Sequence, residues 1–321
     1  MATQPMQSQV QRHRAYRPPA QLGGRTPLNR TFRRRLVIVV FLAPSLTIMA
    51  AFVGWPMISA LRLSFTDASG FGQENWVGFA NYVRIFTDPK ILHSIVNTAI
   101  YAALFTPVAI VLALILALAI NSPRLPLRGF FRTSLFTPFI VSLAVAAFAW
   151  SYLLDPQLGL LNYWLQTVGI RLGNVLQDPT LAMPTVVLVA VWKNFGFYMV
   201  IFLAGLQEIP TSLYEAAQLD GANNWRRFTY VTLPMLSNTI VFVLIIALIA
   251  ALQAFDQIYV LTGGGPYRST QTIVMEIYQS GFKQLDLGFA SALSYVLLIA
   301  TLILSLIQFL FFGRRAEENN S

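Results

Sequence analysis

Six stretches of the chain carry almost only apolar side chains: about 36–57, 94–120, 133–154, 184–206, 239–261 and 288–312. Each reaches the roughly 20 residues that a helix needs to cross about 30 Å of hydrocarbon. Each is also long enough to close its own backbone hydrogen bonds, which lipid requires. Pro44, Pro107 and Pro138 fall inside these runs and predict kinks. The pattern predicts an all-α integral membrane protein with six transmembrane helices in a membrane domain over 35–313. The polar segments between them are loops of moderate length at about 58–93, 155–183 and 262–287. One segment is different in kind: residues 215–234 read EAAQLDGANNWRRFTYVTLP, polar and charged between two apolar runs.

Composition agrees with lipid as the solvent. The chain is 56% hydrophobic and 11% charged, where a soluble domain carries about a quarter charged residues. The absence of cysteine excludes a disulfide framework, a thiolate metal site and a cysteine nucleophile. His13 and His93 are isolated, in a tail and at a span edge, and form no ligand cluster.

The net charge of +9 is concentrated in a tail and short loops, which argues for membrane topology and against nucleic acid as a partner. Six spans put both termini on one side. With both ends inside, fifteen Lys and Arg fall in inner segments and six in outer ones, with Lys193 inside a span. That asymmetry predicts cytoplasmic N- and C-termini in the plasma membrane. Residues 1–34 read as a disordered basic tail that fixes orientation and touches anionic lipid. They are too long, and the following apolar run too extended, for a cleaved signal peptide. Residues 314–321 form a second cytoplasmic tail.

The same topology places residues 209–234 in the cytoplasm, between the fourth and fifth spans. Pro210-Thr211-Ser212 starts a helix, and Ser212 with Glu215 fits a capping box. Gly221 supplies the left-handed turn that ends it. A second short helix is expected from about Asn223 through Trp225 and Phe228, stopping before Pro234. Two such helices are marginal alone, so this helix-turn-helix is expected to dock on a cytoplasmic partner.

Glu215-Ala216-Ala217, then Asp220-Gly221-Ala222, then Arg226, Phe228, Leu233 and Pro234 resemble the EAA coupling loop of permeases in bacterial ABC importers. LAPSL at 42–46, Gly78-Phe79-Ala80-Asn81-Tyr82, and LTGGGP at 261–266 extend the resemblance to the carbohydrate-importer permeases related to the maltose permease. The family often has a second proline four residues beyond the first; here that position is Asn238. The resemblance implies a transmembrane permease subunit that pairs with a second permease, a different chain. It also implies two ATP-binding subunits that hold ATP and Mg, and an extracytoplasmic solute-binding protein. No cofactor is expected in this chain, which lacks a GxxxxGK[ST] phosphate loop. Gly263-Gly264-Gly265 is followed by no Lys-Ser/Thr and reads as a tight turn.

Ionisable groups inside spans need a reason. Lys193 in the fourth span and Asp256 in the fifth are expected either to pair or to line a hydrated cavity for a polar cargo, with Asn194, Phe197 and Gln253. Cargo positions of the maltose permease match Ala190, Lys193, Asn194 and Phe197, and then Ala247, Ala250, Ala251 and Ala254. Those alanines cannot supply polar contacts. The expected cargo is a sugar or polyol, with a glycerol-phosphate-type solute as the alternative. An ion-coupled secondary transporter, with Lys193 and Asp256 as the relay, is a second class and leaves the helix-turn-helix unexplained. An intramembrane hydrolase lacks a nucleophile with its partner in any span.

Overall fold

The computed structural model describes residues 27–70, 72, 74–122, 124–170 and 173–310. Among these the chain is helical, with only two isolated bridges, Thr66 with Trp76 and Ser69 with Asp286. It divides into two units, residues 1–57 and 58–321.

The first unit is described from α1 (Pro27–Met49), followed by a π-turn at Ala50–Gly54. Helix therefore begins inside the segment expected to be a disordered tail, at Pro27 and not after residue 34. Residues 1–26 and the tail 314–321 lie outside the described residues. α2 (Trp55–Leu63) completes a candidate span over Arg34–Leu63.

The second unit is built around α4 (Pro89–Asn121) and α8 (Ala182–Glu208), which pack along much of their length. α4 runs unbroken through Pro107. It turns a row of Phe105, Ala109, Ala113 and Ala117, spaced four apart, into the core with Val186, Val189, Ala190 and Phe202 of α8. Small residues at that spacing let two backbones approach where lipid offers no hydrophobic drive between helices. Around this pair lie α3 (Ala80–Thr87), α5 (Arg128–Ile140), α6 (Leu143–Leu153), α7 (Leu160–Thr167) and α12 (Ser237–Leu252). α13 (Asp256–Leu261), α14 (Ile273–Tyr278) and α15 (Leu287–Gln308) complete the set, with a π-turn at Gln279–Lys283.

Two of the six expected spans are broken. The third parts at Val141 and Ser142 into α5 and α6, which meet at 95°. The fifth holds one helix of 16 residues, α12. At about 1.5 Å per residue that is about 24 Å, short of the hydrocarbon core. It breaks at residues 253–255 and resumes as α13. By length and apolarity four helices of the described chain qualify as spans, and six segments qualify only if two bent pairs, Arg128–Ile140 with Leu143–Leu153 and Asn224–Met235 with Ser237–Leu252, each count as one.

The loops at one end are welded to the helices. Asn81 Nδ2 donates to Ser64 O (3.0 Å) and Thr66 O (2.8 Å), and Tyr82 Oη bonds Ser64 Oγ at 2.7 Å. The GFANY phrase thus closes the loop before α3. Arg84 pairs with Asp286 at 2.8 Å and lies over the Phe289 ring. Asn97 Nδ2 donates to Arg268 O (2.8 Å) and Gln271 O (3.0 Å), and Ile273 N–H donates to Thr98 Oγ1 (2.9 Å). The Arg268 guanidinium meets Glu276 and Ser94 beside them.

Candidate functional site

At the other end of α8 the chain makes a compact elbow. α9 (Thr211–Leu219) ends in a Schellman motif: Ala222 N–H donates to Ala217 O (2.9 Å) and Gly221 N–H to Gln218 O (3.1 Å). Gly221 takes φ +74°, which costs a residue with a Cβ but not glycine. The expected Ser212–Glu215 capping box does not form. Pro210 is the N-cap, and Ser212 already lies inside the helix. A proline has no N–H for a returning Glu side chain to satisfy.

Asn223 caps the second helix by accepting from Arg226 N–H at 2.8 Å. That helix does not stop before Pro234. It runs as α10 (Asn224–Arg227), a π-turn at Phe228–Thr232 and α11 (Leu233–Met235), with Pro234 in its last segment. The wider π-turn removes the demand for an N–H at the proline. The run then bends by 67° into α12. Tyr214 Oη and Thr232 Oγ1, 3.0 Å apart, tie the two arms. Glu215, Ala216, Asp220, Gly221 and Arg226 are exposed, while Ala217, Ala222, Phe228 and Pro234 are half-buried. At the tip Leu219 is 90% and Trp225 70% exposed.

The expected Lys193–Asp256 pair is absent. Lys193, buried in α8, donates from Nζ to Phe139 O at 2.9 Å and lies 4.6 Å from the Phe139 ring centre. Phe139 is in the last turn of α5, where the break leaves carbonyls without intrahelical partners. An ammonium there also suits the negative end of the helix dipole. Phe197 stacks on the same ring at 4.5 Å. Both residues therefore brace the broken span. Gly196 makes this crossing possible, since a Cβ there would lie 2.2 Å from Leu135 O.

Asn194, Gln253 and Asp256 are brought together. They line a cavity of about 160 Å³ between α4, α6, α8 and the break from α12 to α13, with Tyr101 and Gln257. Asn194 Nδ2 donates to Ala190 O at 2.8 Å. Ala250 and Ala254 are on the wall, as apolar as their identity dictates. Sequence reasoning missed Tyr101 and Gln257. Gln257 is the polar neighbour of Asp256 inside an apolar segment, a signal of the same kind as those that were read. A second cavity, of about 290 Å³, lies at the loop end among Ser151, Asn174, Gln177 and Thr262.

A family model described as the binding-protein-dependent transport system inner membrane component matches residues 89–315. The sn-glycerol-3-phosphate transport system permease protein UgpA of Brucella abortus is 36% identical over 291 residues, covering 89% of this chain and 98% of its own. The probable ABC transporter permease protein YurN of Bacillus subtilis is 34% identical, covering 89% and 99%. Among solved structures, a chain of a bacterial ABC transporter involved in import of the acidic polysaccharide alginate superposes with a TM-score of 0.79 at 26% identity, covering 89% and 98%. The match to a chain of an alginate ABC transporter in complex with an alginate pentasaccharide-bound periplasmic protein has a TM-score of 0.77 at 25% identity, covering 88% and 95%. The chain belongs to the family of binding-protein-dependent transport system inner membrane components, the permeases of ABC transporters.

Proposed function

We propose that the chain is the transmembrane permease subunit of an ATP-driven importer, with the 209–234 elbow as its cytoplasmic coupling lever and a sugar or related polyol as cargo. The broken third and fifth segments each then count as one crossing, giving six, with both termini in the cytoplasm. A second permease, two ATP-binding subunits carrying ATP and Mg, and an extracytoplasmic binding protein complete the assembly.

The observation that carries this reading is the elbow's tip. Its two short helices are closed by their own caps and by the Tyr214–Thr232 tie, yet Leu219 and Trp225 face outward. Exposed apolar groups on a rigid mount call for a partner's groove. The connection makes the elbow a lever. Only Ile209 and Pro210 separate α8 from α9, and Leu236 alone separates α11 from α12. A push on the tip is thus delivered to α8 and α12, and α8 and the α12–α13 break wall the small cavity. Closure of the ATPase pair would alter that wall.

A glycerol-phosphate cargo is favoured by the identity to UgpA. Against it, the one ammonium near the path is engaged by Phe139 O, and the cavity presents Asp256, whose carboxylate would repel a phosphate. A neutral polyol meets neither difficulty.

The test is a photo-crosslinker at Leu219 or Trp225 in the assembled transporter, together with ATP-driven uptake in proteoliposomes. Capture of a nucleotide-hydrolysing subunit is expected, as is loss of uptake with retained insertion in Glu215→Ala and Gly221→Pro. Normal uptake in both variants, or crosslinks only to lipid, removes the lever.

A further inference from the structure

The two arms of the elbow join the membrane domain at a close crossing. Gly205 lies in the last turn of α8, shortly before the joint at Ile209 and Pro210. A Cβ there would lie 2.5 Å from Thr239 Oγ1, 3.0 Å from Leu236 Cδ1 and 3.1 Å from Thr239 Cγ2. Thr239 is in the first turn of α12, and Leu236 is the joint between α11 and α12. The backbone of α8 therefore rests directly on the start of α12. Neither neighbour yields easily. Thr239 is β-branched, so each staggered rotamer leaves a heavy atom at one of its two contacts. Leu236 is 1% exposed and shares its core with Leu203, Leu206 and Ile209.

Two further ties lie beyond this crossing. Tyr214 Oη and Thr232 Oγ1 join the arms at 3.0 Å, and the turn at Gly221 closes the tip. The chain from Gly205 to Thr239 is thus fastened at its base, across its middle and at its end. Such a frame rotates entire when its tip is pushed. Without the base, the joints at Ile209–Pro210 and Leu236 would act as hinges, and α8 and α12 would splay and absorb the motion. We propose that Gly205 is a positioning residue of the transport cycle, whose contact with Thr239 and Leu236 makes α8, the elbow and α12 turn as one body. It acts through α12, so that the α12–α13 break follows the tip. This deepens the proposed function and rests on the importer reading.

The consequence is a dependence on size at one position. A methyl at 205 must push α12 off α8 by most of the distance between 2.5 Å and ordinary contact near 3.4 Å. The experiment uses the complete transporter, with its second permease, ATP-binding subunits and binding protein, in proteoliposomes. Glycerol, xylitol, glucose, maltose and sn-glycerol 3-phosphate are offered, and the one taken up best serves as cargo. Uptake per ATP hydrolysed should fall about threefold in Gly205→Ala and about tenfold in Gly205→Val, with the ATP-binding subunits still bound and ATP still hydrolysed. Thr239→Ala removes both close threonine atoms, so combining it with Gly205→Ala should bring that ratio back to within about twofold of the parent. A role in folding alone would lower the amount of transporter and leave the ratio unchanged.

A second measurement covers the case in which the glycine variants do not assemble. The chain has no cysteine, so a doubly spin-labelled Leu188→Cys/Phe242→Cys variant reports on α8 and α12 alone, from two exposed positions. The separation of the labels should be the same in the nucleotide-free and the ATP-trapped transporter. A change above about 2 Å means that the helices slide or splay and overturns the proposal. So does an unchanged uptake per ATP in both glycine variants, or a loss that Thr239→Ala does not relieve. Absence of ATP-driven uptake of every probe by the parent removes the importer reading itself, and this inference with it.

Discussion

Replacing Gly196 by alanine perturbs the crossing of α5 and α8 by a single methyl group. The new Cβ would lie 2.2 Å from Leu135 O and 3.0 Å from the Phe136 Cα. Ordinary contact begins near 3.4 Å, so α5 must retreat by about 1 Å or both helices must distort. Lys193 lies on the same helix, three residues earlier, and reaches Phe139 O over 2.9 Å. A retreat of about 1 Å takes that bond beyond hydrogen-bonding reach. Overpacking costs about 1–3 kcal/mol, and loss of a hydrogen bond to a charged group about 1.5–3 kcal/mol. The two act together, for about 2.5–6 kcal/mol. For a chain of this size each kcal/mol is worth about 2–4 °C, so the unfolding midpoint in detergent should fall by at least about 5 °C.

Gly129→Ala is the internal control. It lies on α5 too, where a Cβ would meet nothing within 4 Å, and it should gain about 0.5–1 kcal/mol in helix propensity. Tryptophan fluorescence during a thermal ramp reads both variants. If Gly196→Ala melts with the parent while Gly129→Ala behaves as expected, the close crossing is not what holds the broken span.

Lys193→Met loses its bond to Phe139 O but also removes an ammonium that costs about 2.5–3.5 kcal/mol to bury in a span. The terms nearly cancel, so the midpoint should stay near that of the parent while amide exchange at Val141 and Ser142 quickens; a large drop in stability would contradict this balance. Gly221→Ala should cost about 1–2 kcal/mol at the elbow because of its φ of +74°, measured as faster amide exchange at Ala222 with the spans unchanged. Asn81→Ala strips two donors from Ser64 O and Thr66 O and should cost about 2–4 kcal/mol, read as a lower midpoint and new protease sensitivity in residues 64–80.

Asp155 gives a pH dependence. Backbone N–H groups of Leu158 and Gln157 hold its carboxyl below the usual value of 3.8. A depressed folded value means that the turn's support is complete above that pH and is lost as pH falls through the lower one. The exchange protection factor at Leu158, corrected for the intrinsic pH dependence of exchange, should therefore be flat near neutrality and fall only in strong acid, and Asp155→Asn should abolish the acid limb.

The apolar runs were legible because lipid leaves a span few ways to be written, so α4 and α8 extend the expected 94–120 and 184–206 by only a few residues. The elbow's turn was legible through Gly221, whose backbone geometry glycine alone adopts cheaply. The breaks were not. Pro138 marks the neighbourhood of the 95° bend, but the same residue type at Pro107 leaves α4 continuous. The residue type alone does not say which of the two helices breaks. For the same reason the partner of Lys193 was not legible: it is a backbone oxygen that exists as an acceptor only because α5 ends. Asn194, Gln253 and Asp256 could be grouped from the sequence because polar residues in greasy segments stand out. Tyr101 does not stand out, since tyrosine in a span reads as an interfacial aromatic until its hydroxyl is seen to hold Gln257.

The weld between α4 and the loop before α14 has a consequence for how the protein is made. Asn97 finds its partners 171 and 174 residues further along the chain, and Thr98 waits 175 residues for Ile273. A ribosome adding about 5–20 residues per second therefore leaves the Asn97 amide without these partners for about 10 s or more, while the Thr98 hydroxyl has only its own helix's Ser94 O. A nascent chain halted before residue 268 would hold its spans loosely, offering quality-control proteases a half-built product that the finished polypeptide never resembles.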